Sequence, residues 1–319
     1  VTHTHTGLTN GTTYYYRLTA VDNTGNESTA TNDVSATPYA EYTVKTDGTG
    51  DYTTIQAAID GASNGDLIIV YDGTYTENVS INKSIILMSS EGANSTIIDA
   101  NNFGTVLTVN PHSTQSYYGY PEIHADATVD GFTIQNGYTS TFGGGLYCVD
   151  SYPTITHCVF KDNNAGISNP SVHGGSIAVD HSEIKLDHVI IRSNYTSGRG
   201  GGIYFAHSIV NGSNLLLENN FANDRGGALS FYRSTGNFDY ITITDDSAQV
   251  EGGALYLRES EISFTNSIIW SNRPQQIAFA ELGFPSIVNI HNSILDEYIT
   301  GVETHDNGTV NFGLFDVFD

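Results

Sequence analysis

The chain has 319 residues and a net charge of −24, from 11 Lys+Arg against 35 Asp+Glu. So acidic a chain lacks the basic footprint that DNA, RNA or an anionic membrane demands, which excludes those as main partners. Its longest apolar runs, LIIV (67–70) and IILM (85–88), fall far short of a membrane span, while its length suffices for one elongated domain or two compact ones.

The sequence opens on Val and carries no secretion signal, so it reads as a mature or excised piece of something longer. Cys148 and Cys158 are too few for a disulfide framework. Both fall at positions that read as core-facing and act there as small buried hydrophobes, with a single bridge between them left open. Abundant Thr, Ser, Asn and Gly around short Ile/Val/Leu/Thr runs form an all-β signature.

Residues 1–38 differ from the rest. Tyr14, Tyr16, Leu18 and Ala20 alternate, the turn Asp22-Asn23-Thr24-Gly25-Asn26 follows, and a second strand ends at Pro38. The stretch GLTNGTTYYYRLTAVDNTGNESTATNDVSATP resembles the last hairpin of a fibronectin type III domain. The resemblance covers less than half such a domain, and two strands bury too little to stand alone. It implies a spacer, and self-association through this half-domain is the corresponding partner expectation.

Residues 39–319 form the second unit. Thr53 and Gln56 have capping-box spacing, and Ile55, Ala58, Ile59 and Ala62 share one helical face, so a short amphipathic helix is expected over 53–63. The strands DLIIVYDGTYTENV, SIILMSS and STIIDA follow. The run TDGTGDYTTIQAAIDGA…DLIIVYDGTYTENVSINKSIILMSSEGANSTIID resembles the opening of pectinesterases and other members of the pectate-lyase-like superfamily. That resemblance implies an all-β, right-handed parallel β-helix solenoid whose N-terminal end is capped by the helix.

From residue 143 the phrase GGGLYCVDS returns as GGSIAVDHS, GGGIYFAHS, GGALSFYRS and GGALYLRES. Aligned on Leu146, Ile177, Ile203, Leu229 and Leu255, the last four stand 26 residues apart, clearest over 183–286, which is the period of a solenoid coil. Each coil reads as three short strands. Alternation points Ile203, Phe205, Leu229, Phe231, Leu255 and Leu257 inward, and Tyr204, Ser230 and Tyr256 outward. The glycine pair marks a corner where side chains would collide with their copies and where a positive φ is needed. Asn163, Asn194, Asn220, Asp246 and Asn272 form a stacked column, and Ser182, Ser208, Ser234 and Ser260 another. The same grammar resembles the repeats of bacterial surface β-helix proteins.

Chemistry is harder to find. The pectinesterase family carries Q-D-T, D-F-I-F-G and L-G-R-P-W motifs on its catalytic strands, and none occurs here, nor does the pectate-lyase arginine signature. Gly61-Ala-Ser-Asn-Gly65 matches G-x-S-x-G but has the helix before it and the strand after, the reverse of a nucleophile elbow, so Ser63 is inert. Lys161, Arg192, Glu218, Thr244 and Trp270 share an outward column. Lys161 and Arg192 are the candidates for a polysaccharide lyase acting on a uronate, against the simpler reading of a solvated, salt-bridged face. Tyr147, Ala178, Tyr204, Ser230 and Tyr256 share another, with tyrosines about 9.5 Å apart on alternate coils, close to a disaccharide repeat. Tyr147, Tyr204, Tyr256, Trp270 and Tyr118, the last in the long insertion 101–126, are therefore the glycan-binding candidates.

His157 and His188 share a column, as do His181 and His207. With no third ligand at the right spacing, no metal site is assigned from either pair. Carboxylate-rich turns at Asp245-Asp246 and at Asp47 and Asp51 make calcium the candidate cation, although no full oxygen-ligand motif is present. Paired carboxylates for a hydrolase are also missing, with Asp187, Asp239 and Glu218 scattered. The sequence thus favours a non-catalytic extracellular module, secreted or on a bacterial or archaeal cell surface, that displays a side face for a polysaccharide or cell-surface glycan or for adhesion. A lyase is the alternative and a fibre or sheath subunit the second. No nucleic acid and no membrane insertion are expected.

Overall fold

A computed structural model describes residues 3–110, 125–166, 171–296, 302–303 and 308–313. The insertion that carries Tyr118 lies largely outside them. The protein is an all-β, right-handed parallel β-helix of about nine turns. Its coils stack into a face of nine parallel strands, a long face of 18 strands and a narrow face of five two-residue strands.

The 26-residue period is a pairing register. Ile177 pairs with Ile203, Ile203 with Leu229, and Leu229 with Leu255, all parallel. Because side chains alternate along each strand, that register stacks like upon like. Phe205 lies 5.1 Å from Phe231 and Phe238 lies 5.2 Å from Phe264, centroid to centroid and near parallel, and all four are buried. Cys148 and Cys158 are free and buried in the same core, and burial pushes both thiols up to about 12, so the open question of a bridge closes.

Each coil has more parts than its sequence suggests. A two-residue strand such as Tyr195–Thr196 precedes the glycines and belongs to the narrow face, while the first two expected strands merge into Ile209–Glu218 and Thr235–Thr244. The merged strands still bend, at Asn214 and Tyr240, where φ is +54° in both. The glycine pair does two separate jobs. Gly200 turns the corner at φ +70°, and a Cβ on Gly201 would stand 2.4 Å from the Gly227 carbonyl oxygen of the next coil.

The polar columns are hydrogen-bond ladders. Nδ2 of Asn194 donates to Oδ1 of Asn220 (2.9 Å), and Nδ2 of Asn220 donates to Oδ1 of Asp246 (2.8 Å). The backbone N–H of Ser208 donates to Oγ of Ser234 (3.1 Å), and that of Ser234 to Oγ of Ser260 (3.1 Å). These ladders satisfy groups that turn inward at each corner, where a buried unpaired polar atom would cost about 1–3 kcal/mol.

The helix spans Ile55–Gly61 and buries Ile55, Ala58 and Ile59. Its N-cap is Thr54, one residue later than the capping-box spacing suggests: the Thr54 hydroxyl accepts from the Ala57 amide, the Gln56 side chain accepts from the Ser80 amide, and the Glu77 carboxylate accepts from the Ile55 and Gln56 amides. At the other end Lys83 Nζ donates to the Ile59, Asp60 and Ala62 carbonyls. An anion at the first turn and a cation at the last both suit the helix dipole. At the N-terminus Tyr14–Tyr16 pairs antiparallel with Val34–Ala36, leaving Tyr15, Leu18, Val21 and Val34 exposed.

Candidate active groove

Outward positions of the nine-stranded face run Tyr147, Ala178, Tyr204, Ser230, Tyr256 and Ala278 in register. Two further columns rise beside it. The residue before each corner glycine supplies one wall: Phe142, His173, Arg199, Arg225 and Glu251. The other wall is the strand end and the left-handed corner after it, where Asp150, His181, His207, Arg233 and Glu259 all hold φ between 46° and 54°.

Between these walls lies a groove of about 270 Å³. Tyr147, Ala178 and Tyr204 form its floor, Phe142 and His173 one side, and Asp180, His181, His207 and Tyr232 the other. Its aromatic side is continuous, with Phe142 5.9 Å from both Tyr147 and His173, and His173 4.5 Å from Tyr204. Burial pushes the Tyr204 phenol up to about 12 and raises that of Tyr147, so both stay protonated as donors at neutral pH.

Burial, followed by the charge of Arg199, lowers His173 to about 4, which leaves it neutral at neutral pH. Its Nδ1 accepts from the Arg199 amide (3.1 Å), so the ring proton belongs on Nε2. Opposite, Nδ1 of His181 is 2.8 Å and Nδ1 of His207 3.8 Å from Oδ1 of Asp180. The groove therefore combines neutral hydrogen-bond donors on one side with a carboxylate-held imidazole pair on the other. That set can polarise a carbonyl and activate a water.

The structure divides the tyrosine and tryptophan set. Tyr147 and Tyr204 share the groove. Tyr256 points outward but is only 5 % exposed, because the Arg199 and Arg225 guanidinium groups lie over its ring at 5.2 and 5.4 Å. It is thus no open platform for a sugar. Those arginines are themselves neutralised, Arg199 by Asp224 (2.9 Å) and Arg225 by Asp224 (2.8 Å) and Glu251. Trp270 stands on the long face, paired with Thr244, away from the groove. Tyr118 lies outside the described residues.

Lys161, Arg192 and Glu218 do form one column on the long face, and there they share no wall with the groove. Among the described residues no salt bridge joins the three. The structure places three of the four carboxylates named as calcium candidates. Asp246 is buried in the asparagine ladder, Asp47 accepts from Thr49, and Asp51 accepts from Thr43. Sequence reasoning missed His173, whose signal was its place directly before a corner glycine, and Asp180, which adjoins His181 but belongs to the strand and not to the histidine column.

Residues 41–132 match the family model described as Pectinesterase. A 66-residue stretch is 38 % identical to the probable pectinesterase/pectinesterase inhibitor 17 of Arabidopsis thaliana, covering 20 % of this chain and 13 % of that protein's length. Among solved structures, pectin methylesterase PemA from Erwinia chrysanthemi is similar at 12 % identity and a TM-score of 0.45, over 89 % of this chain and 94 % of its own. The pectin methylesterase from Yersinia enterocolitica is similar at 12 % identity and a TM-score of 0.42, over 84 % and 94 %. The expectation of a non-catalytic module is corrected by the family match, since the segment that resembles a known family resembles enzymes. The adhesin, carbohydrate-binding and fibronectin-stalk framing is withdrawn with it.

Proposed function

We propose that the protein is a pectin-modifying carbohydrate esterase that hydrolyses methyl esters of an extended polyuronate lying along the groove of the nine-stranded face. The observation that carries the reading is the pectinesterase match over residues 41–132, in the coils that lead directly into the groove. An extracellular polysaccharide is the corresponding substrate. Among the described residues no helix is long and apolar enough to cross a membrane.

The family's own catalytic motifs are absent, so this chain's chemistry rests on different residues. Water activated at the Asp180–His181–His207 corner attacks the ester carbonyl carbon. The Nε2–H of neutral His173 and the phenol of Tyr204 donate to the oxygen on which negative charge develops. Collapse of the tetrahedral intermediate expels methoxide, which takes up the proton lost by the water and leaves as methanol. The uronic acid left behind then gives its own proton to solvent and remains as a carboxylate.

Electrostatics fit a neutral substrate better than a charged one. The chain carries −24, and Arg199 and Arg225 are already paired, so a methyl-esterified stretch enters without repulsion while the carboxylate product is repelled. Tyr204→Phe removes one oxyanion donor and keeps the ring. It is expected to lower methanol release from methyl-esterified polygalacturonate about 10²-fold. Release by Tyr204→Phe at the wild-type rate would remove Tyr204 from the site.

A further inference from the structure

We infer that Asp180, His181 and His207 bind a divalent transition-metal ion of the zinc type at the edge of the groove. This rests on the ester-hydrolysis reading only for its role, since coordination would be how the corner activates water.

Among the described residues, one group of three such side chains brings its ligand atoms together, all within 4.8 Å of one another. A tetrahedral ion with bonds of about 2.0–2.2 Å sets neighbouring ligand atoms about 3.4 Å apart. The two Asp180–imidazole distances, 2.8 and 3.8 Å, lie on either side of that value. The two imidazole rings, stacked 4.5 Å apart and near parallel, would turn towards each other to aim both nitrogens at one ion, a rotation that their exposed side chains allow. The backbone is fixed, because the His181 amide donates to the Ala206 carbonyl (3.0 Å) and that of His207 to the Tyr232 carbonyl (2.9 Å).

The left-handed corner does not by itself explain the histidines. Equivalent corners on other coils hold Asp150, Arg233 and Glu259 at the same φ. The second histidine stack supplies an internal comparison. His157 and His188 lie 5.1 Å apart, but each meets its own carboxylate, Asp130 at 2.9 Å and Asp187 at 3.1 Å. Asp187 is further occupied by Ser213 and Asn214. His181 and His207, stacked at 4.5 Å, share one carboxylate. Three protein ligands leave a fourth position for water, and the same residues line the groove.

The test is calorimetric titration of zinc chloride into the tag-free, chelator-treated chain. One equivalent is expected to bind, weakened at least about tenfold by Asp180→Asn and by His207→Asn. Asn tolerates the left-handed corner, so the second change keeps the backbone. His188→Asn should bind zinc as the wild type does. Absence of one-equivalent binding, or binding unchanged by both Asp180→Asn and His207→Asn, overturns the inference. Zinc binding without methanol release keeps the metal site and sinks the esterase reading. Methanol release by a chain that binds no zinc does the reverse.

Discussion

One member of the asparagine ladder is an aspartate, and replacing it should stabilise the protein. Oδ1 of Asp246 accepts from the amide of Asn220 (2.7 Å) and from its Nδ2 (2.8 Å), while its own amide donates to Oδ1 of Asn272 (2.9 Å). Its Oδ2 is buried with no partner. In the coils on either side that position is an NH₂: Asn220 donates to the Ile191 carbonyl (2.9 Å) and Asn272 to the Ile243 carbonyl (3.0 Å). By the 26-residue repeat, the partner at Asp246 is the Leu217 carbonyl, which an ionised carboxylate can only repel. Burial, and then the charges of Asp245 and Glu218, raise its pKa well above the ordinary carboxylate range. The folded chain therefore holds a proton that the unfolded chain releases. Its contribution to stability is complete below about pH 4 and falls as pH rises towards the raised value, by about 1.4 kcal/mol per unit. Asp246→Asn supplies the missing donor without the proton, a gain of about 1–3 kcal/mol at pH 7. For a chain of this size that raises the melting temperature by a few degrees. Thermal unfolding at pH 4 and pH 7 reads the effect. A variant less stable than wild type at pH 7, or a gap that does not widen with pH, refutes the reasoning.

Other expectations follow from the same coils. His173 has the opposite sign: its pKa near 4 lies below the unfolded value of about 6.5, so stability present above pH 6.5 drains away as pH falls towards 4. His173→Gln should flatten that acid limb in a melting-temperature profile, and an unaltered limb would remove His173 as its cause. Gly201→Ala would force a Cβ against the next coil's backbone and should cost about 1–3 kcal/mol, whereas Gly202→Ala, with its nearest atom at 2.7 Å, should cost less. Equal losses in denaturant titrations would show that the stacking distance is not what selects the glycine.

Much of the solenoid was legible because its period repeats every demand of the backbone. The glycine pairs, the Asn163–Asn272 ladder and the serine ladder each serve a corner, and identical corners give identical letters. The two-residue strands were not legible, since pairs such as Tyr195–Thr196 and Phe221–Ala222 carry too few residues to alternate. The groove was half legible. Period-2 reasoning set Tyr147 and Tyr204 outward, but it could not see Arg199 and Arg225 folding over Tyr256, because those side chains come from another column. The third ligand beside His181 and His207 was missed for a similar reason. Columns compare equivalent positions on successive coils, and Asp180 is one residue out of phase. Catalytic letters were sought as a known family's motifs, whereas the groove assembles its polar groups from three columns.

Incubation of the chain with highly methyl-esterified polygalacturonate, following methanol and polymer length together, decides whether the groove is an esterase. An esterase groove releases methanol and leaves polymer length unchanged. Retention of the polymer with no methanol, or shortened chains ending in unsaturated sugars, would contradict that reading.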